Sequence, residues 1–89
     1  MNAILELSIW GRDGKTWDML ELECELPFLP PPGMKITIPG KAEGIVVSNQ
    51  WNVEQDFLCV LLQDWNDVGS RKPVVERLLD AGWKRVRTY

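Results

Sequence analysis

The chain of 89 residues has no histidine, only two cysteines and a single tyrosine. Without histidine it lacks the one side chain that titrates near neutral pH unaided. The common general base, the usual partner of a serine or cysteine nucleophile and the commonest metal ligand are therefore all missing. Cys24 and Cys59 form no CxxC pair, and a structural zinc site needs four ligands, so no metal or cofactor is expected. No apolar run approaches the ~20 residues of a membrane-spanning helix, and the first residues lack a basic stretch followed by an apolar one. The expectation is a cytoplasmic protein with free thiols.

Short motifs fail on context. Gly14, Lys15 and Thr16 resemble the end of a phosphate loop, but the earlier glycine would fall on Ile9, and a strand pattern follows instead of a helix. Asp64 to Gly69 has the outline of a calcium loop, yet Val68 and Val75 occupy the fifth and twelfth positions, so it reads as a loop before a helix. Glu21, Glu23 and Glu25 alternate along one strand face at ~6.5–7 Å, a solvated row. A catalytic carboxylate pair needs burial and unequal environments. An enzyme is not expected.

What is present is ordinary for a folded domain: 45% apolar and 26% charged residues, read as one small domain over residues 1–89. The net charge of −3 is unevenly spread. Residues 71–89 carry six cations against Glu76 and Asp80, a net +4, which leaves −7 on residues 1–70.

Strand-like alternation dominates. Residues 3–10 place Leu5, Leu7 and Ile9 on one side; residues 17–28 do the same with Leu20, Leu22, Cys24 and Leu26. Gly11, Asp13 and Gly14 supply a turn between them. Pairing positions that sum to 27 sets Leu7 opposite Leu20, Leu5 opposite Leu22 and Trp10 opposite Trp17, so that the apolar faces coincide. Pro27, Pro30, Pro31 and Pro32 make residues 27–33 a stiff connector. Further strands are expected at 34–38, 44–51 and 56–65, with a last edge strand at 83–89. In residues 70–83, Val74, Val75, Leu78 and Leu79 form a stripe that only a helix gathers, with Ser70 as a candidate cap, Pro73 in the first turn and Gly82 at the end. The helix is expected near 71–82.

Gly33, Gly40 and Gly44 fall at chain reversals and a strand start rather than before a helix, which favours turn chemistry over phosphate cradling. The stretch PGMKITIPGKAEGIVVSNQW resembles the first two strands of small SH3-like barrels, KOW-type modules in particular. Gly33, Ile36, Ile38, Gly44 and Val46 match the pattern, and FLCVLL would be the next strand, so the resemblance covers residues 33–62. It implies binding to RNA, ribosomes, transcription machinery or other proteins. The fold expected is mainly β: a small SH3-like antiparallel barrel of five or six strands with one C-terminal helix.

Five tryptophans in so short a chain are the one excess. Large aromatics fill a thin core efficiently, and they also anchor interfaces. Trp51 and Trp65, at strand ends, are the candidate partner-binding residues, with Arg85 and Arg87 of the basic tail; Trp83 is expected under the helix. The function expected is a non-enzymatic binding module for another protein or for a second copy. The alternative is a nucleic-acid- or ribosome-associated module. Neither a small-molecule substrate nor a membrane is implied.

Overall fold

Alternating apolar residues open the chain as a long hairpin, β1 (Asn2–Gly11) and β2 (Trp17–Glu25). Every pair in its ladder sums to 27, from Asn2 opposite Glu25 to Trp10 opposite Trp17, as the apolar pattern requires. The Asp13 carboxylate accepts hydrogen bonds from the amides of Lys15 and Thr16 at 2.9 and 3.1 Å and so fixes the turn. Trp10 and Trp17 stack beside it, ring centroids 5.4 Å apart.

The computed structural model describes residues 1–68 and 71–88, and the side chains of these except at 41, 42, 67, 68, 71, 87 and 88. Its remaining elements are β3 (Lys35–Ile38), β4 (Lys41–Asn52), β5 (Phe57–Leu62), β6 (Trp65–Val68), α1 (Arg71–Asp80) and β7 (Lys84–Thr88). Strands hold 56% of the chain and helix 11%. The sheet runs β3-β4-β5-β1-β2-β7 and curls into a half-barrel, with β6 also laid against β1.

The mainly β architecture, a curled sheet with one C-terminal helix, matches the sequence reading; its uniform antiparallel pairing does not. β1 pairs in parallel with β5, Ala3 opposite Leu58 and Leu5 opposite Val60, and again with β6 at Ile9–Trp65. β5 and β6 are one strand pattern broken at Gln63–Asp64, so the stretch read as a loop from Asp64 to Gly69 is extended over Trp65–Val68. The cause is non-local: the connector after β2 carries the chain across the sheet, and the β3-β4-β5 meander returns to the free edge of β1 in β1's own direction.

The core fills the concave face. Leu5, Leu7 and Ile9 of β1, Leu20 of β2, Val46 of β4 and Leu58, Val60 and Leu62 of β5 are buried there. The helix closes the end of the half-barrel nearest Ile9. Val75 and Leu78 are buried, and Val74 and Leu79 pack half-buried against them. Candidate cap Ser70 lies outside the described residues. At the other end of α1, Gly82 takes φ of 111°, and the Trp83 amide donates to the Leu78 carbonyl at 3.1 Å. The buried Trp83 then donates its indole N–H to the Pro39 carbonyl at 2.8 Å, tying helix end to the β3–β4 turn. That turn demands Gly40: its φ is 79°, and a β-carbon there would sit 2.8 Å from Leu78 Cδ2. Among the described residues no helix is long and apolar enough to cross a membrane.

Candidate functional site

The end of the half-barrel away from α1 is closed differently. Where β2 stops, the Leu26 amide donates to the Met1 carbonyl at 2.9 Å, and the Met1 ammonium donates to the Leu26 carbonyl at 2.7 Å. The proline-rich connector then crosses the mouth to β4. There the Asn49 side-chain amide donates to the Pro30 carbonyl at 2.7 Å, and the Gly33 amide donates to the Val46 carbonyl at 2.7 Å. Pro30 is buried beneath this lid, while Phe28 and Leu29, held between the two attachments, are about half exposed.

Trp51 lies in the same end. It faces Leu58, which faces Ala3, which faces Cys24, so these four form one row across the sheet. Of the seven large apolar side chains that stand exposed among the described residues, Met1, Phe28, Leu29, Trp51 and Val53 gather here, and Val47 lies farther along β4. Only Val86 is on the other edge. A few scattered exposed apolar residues are normal; a concentration of them at one place is not. A cleft of about 440 Å³ lies at this end of the sheet on its convex side, lined by Asn2, Ile4 and Phe57 with Glu23 and Glu25, and no lid residue lines it. A second hollow of about 330 Å³, lined by Glu43, Ile45, Gln63, Asp64 and Trp65, lies toward the helix end.

Charge sorts with this geometry. No lysine or arginine occurs in residues 1–11, 16–34 or 42–70, which together build the whole mouth. Glu54 and Asp56, in the turn after β4, are exposed there, and Glu23 and Glu25 are exposed on the convex side of the same end.

The four residues singled out from sequence are not brought together. Trp51 is 45% exposed at the mouth. Trp65 pairs with Ile9, six residues along β1 from the row of Trp51, or about 20 Å. It packs half-buried on the core with the Arg77 guanidinium 5.7 Å from its ring centroid, so it holds the helix instead of offering a free ring. Arg85 is on β7 at the opposite edge, its Nε 3.5 Å from Oδ1 of the buried Asp18. The side chain of Arg87 lies outside the described residues. Phe28, Leu29 and Val53 were not singled out. The signal for the first two was two large apolar residues inside a proline connector that can form neither helix nor central strand.

The convex face carries the row Glu21, Glu23 and Glu25, with Lys84 of β7 opposite Glu21. Glu6 faces Glu21 directly, and burial together with the Glu21 charge raises the Glu6 pKa. Glu6 and Glu21 line neither cleft. Cys24 is on the concave face and Cys59 on the convex, so the sheet itself separates the two free thiols. Burial raises both thiol pKa values, and the charges of Glu6 and Glu21 add to the rise at Cys59. Such thiols are protonated and poorly nucleophilic at neutral pH. Among the described residues no three histidine, cysteine or carboxylate groups converge as a metal site.

No protein-family model matches the chain, and no curated protein or solved structure is significantly similar to it.

Proposed function

We propose that this protein is a non-enzymatic, cytoplasmic binding module that takes a protein partner at the lidded mouth of its half-barrel. One observation carries the reading: the exposed apolar side chains Met1, Phe28, Leu29, Trp51 and Val53 share that end. Interface anchors are typically large apolar or aromatic groups within a polar rim, and here Glu54 and Asp56 contribute to the rim. The β3-β4-β5 meander spans the stretch that resembles KOW-type SH3-like modules, and the SH3-like relationship is part of this proposal.

The test is site-specific photo-cross-linking in the native cell from position 53, followed by affinity measurement with the purified partner. Trp51→Ala and Phe28→Ser are expected to weaken binding by about tenfold or more each, while the helix-surface variant Glu76→Ala leaves it unchanged. Equal affinity for all four proteins would refute the placement. Binding that is instead to nucleic acid, with affinity falling steeply with salt, would replace the proposal with the nucleic-acid alternative.

A further inference from the structure

β4 is twelve residues long, but β3 covers only part of one side of it. The last bonds on that side are from the Val46 amide to the Met34 carbonyl and from the Gly33 amide to the Val46 carbonyl. From Val47 to Asn52, β5 pairs with β4 on the other side, and among the described residues no strand covers the first. The connector reaches this stretch through the Asn49 side chain, not through its backbone.

An uncovered edge presents amide and carbonyl groups to any extended chain, and natural sheets blunt such edges with short strands, charges or bulges. The two end strands of the sheet, β3 and β7, follow that rule. β3 is four residues long and carries Lys35; β7 carries Lys84 and Arg85 and is interrupted by a bulge opposite Met19–Leu20. The β4 edge does not: from Gly44 to Val53 there is no charged residue, and Val47, Trp51 and Val53 stand exposed along it.

Resting on the reading above, we infer that the partner adds an extended strand to the free edge of β4 over residues 47–52, and that this strand carries basic residues alternating with apolar ones. The backbone supplies the affinity in such strand addition, and side chains supply the choice. The apolar side chains meet Trp51 and Val53; the basic ones meet Glu54 and Asp56, just beyond the edge. Among the described residues the one cation of that end, the Met1 ammonium, donates to the Leu26 carbonyl. A second copy is a poorer occupant. Antiparallel pairing of two β4 edges over 47–52 runs Glu54 and Asp56 of each copy toward Ile45 and Glu43 of the other, where β3 already occupies the edge, and a neighbour's β7 edge has Arg85 engaged by Asp18 and a bulge in its register.

The experiment titrates isotope-labelled protein with three synthetic octapeptides: alternating lysine and valine, the same peptide N-methylated at every residue, and alternating glutamate and valine. Amide shifts and hydrogen exchange are read across the chain. The lysine–valine peptide is expected to shift and protect amides within residues 47–52. The N-methylated and glutamate peptides bind at least about tenfold more weakly, and raising the salt from about 50 to about 500 mM weakens the first. Equal binding of the N-methylated peptide, or shifts at Phe28 and Leu29 without protection at 47–52, overturns strand addition and leaves the protein-binding mouth standing. Equal binding of the glutamate peptide overturns the basic partner alone. Protection of 47–52 that grows with protein concentration before any peptide is added makes the occupant a second copy and overturns the inference. No response from any residue of that end overturns both.

Discussion

Leu78 and Gly40 are a test of how the helix is held. Leu78 is fully buried, and its Cδ2 fills the place a β-carbon on Gly40 would take, 2.8 Å away. Truncating it in Leu78→Ala removes buried methyl groups and leaves a cavity under α1. Such changes cost about 2–5 kcal/mol, against a total stability of roughly 4–13 kcal/mol for a domain of this size. Gly40→Ala is costly for two reasons. A residue with a β-carbon at φ of 79° costs about 1–2 kcal/mol, and overpacking against Leu78 adds about 1–3 kcal/mol. The double variant separates these contributions. Without the Leu78 methyl groups the clash is gone, and the nearest remaining atom is Ala81 Cβ at 3.2 Å, which needs only a small shift.

The two costs are therefore expected to be less than additive by about 1–3 kcal/mol. Urea denaturation followed by tryptophan fluorescence and far-ultraviolet circular dichroism measures all four corners of the cycle. Melting should fall by roughly 4–8 °C for each kcal/mol lost. If the costs add within about 0.5 kcal/mol, or Leu78→Ala alone costs less than about 1 kcal/mol, then the helix is not seated on the β3–β4 turn.

Two further outcomes follow from charge. Arg85→Glu is expected to cost about 1–3 kcal/mol in a thermal melt, because Asp18 is buried and the change replaces its cation with a like charge; an unchanged melting temperature would show the Asp18 pairing to be of no consequence. Glu6→Gln is expected to stabilise the fold at neutral pH by about 0.2–1 kcal/mol by removing a like-charge pair across β1 and β2. Folding raises the Glu6 pKa above the ordinary 4.5, so the folded chain binds that proton more tightly, and the ionised group opposes folding above the raised value. The gain should therefore shrink as pH falls through that value and vanish below 4.5; a gain that persists at low pH would point to packing instead.

The parts of the fold legible in the sequence are those whose partners are close along the chain. The β1–β2 register follows from two alternating runs around one turn, and the helix follows from Val74, Val75, Leu78 and Leu79. The parallel contact of β1 with β5 and β6 joins residues more than fifty positions apart, and nothing local marks it. Trp65 shows the same limit at the site. At a strand end it looked as available as Trp51, but its strand continues along β1 and brings Arg77 over its ring. Trp51 stays exposed because β4 at that point has no neighbour on one side.

That missing neighbour traces back to four prolines. The connector from β2 to β3 has Pro27, Pro30, Pro31 and Pro32, none of which has an amide proton to give. It can close the core, as the buried Pro30 does, but it cannot continue the β3 ladder along β4. Backbone pairing on that side ends at Val46, where the first residues after the prolines, Gly33 and Met34, supply a donor and an acceptor. At the opposite end a helix, two tryptophans and an arginine complete the closure with side chains. The same residues that seal the mouth thus leave β4 uncovered from Val47 onward. A variant in which Pro31 and Pro32 are both replaced by threonine tests this: the connector regains two donors, and hydrogen exchange of amides within 47–52 is expected to slow without any partner. Unchanged exchange there, in a protein of unchanged fold, would mean that something other than the missing proline amides keeps that edge free.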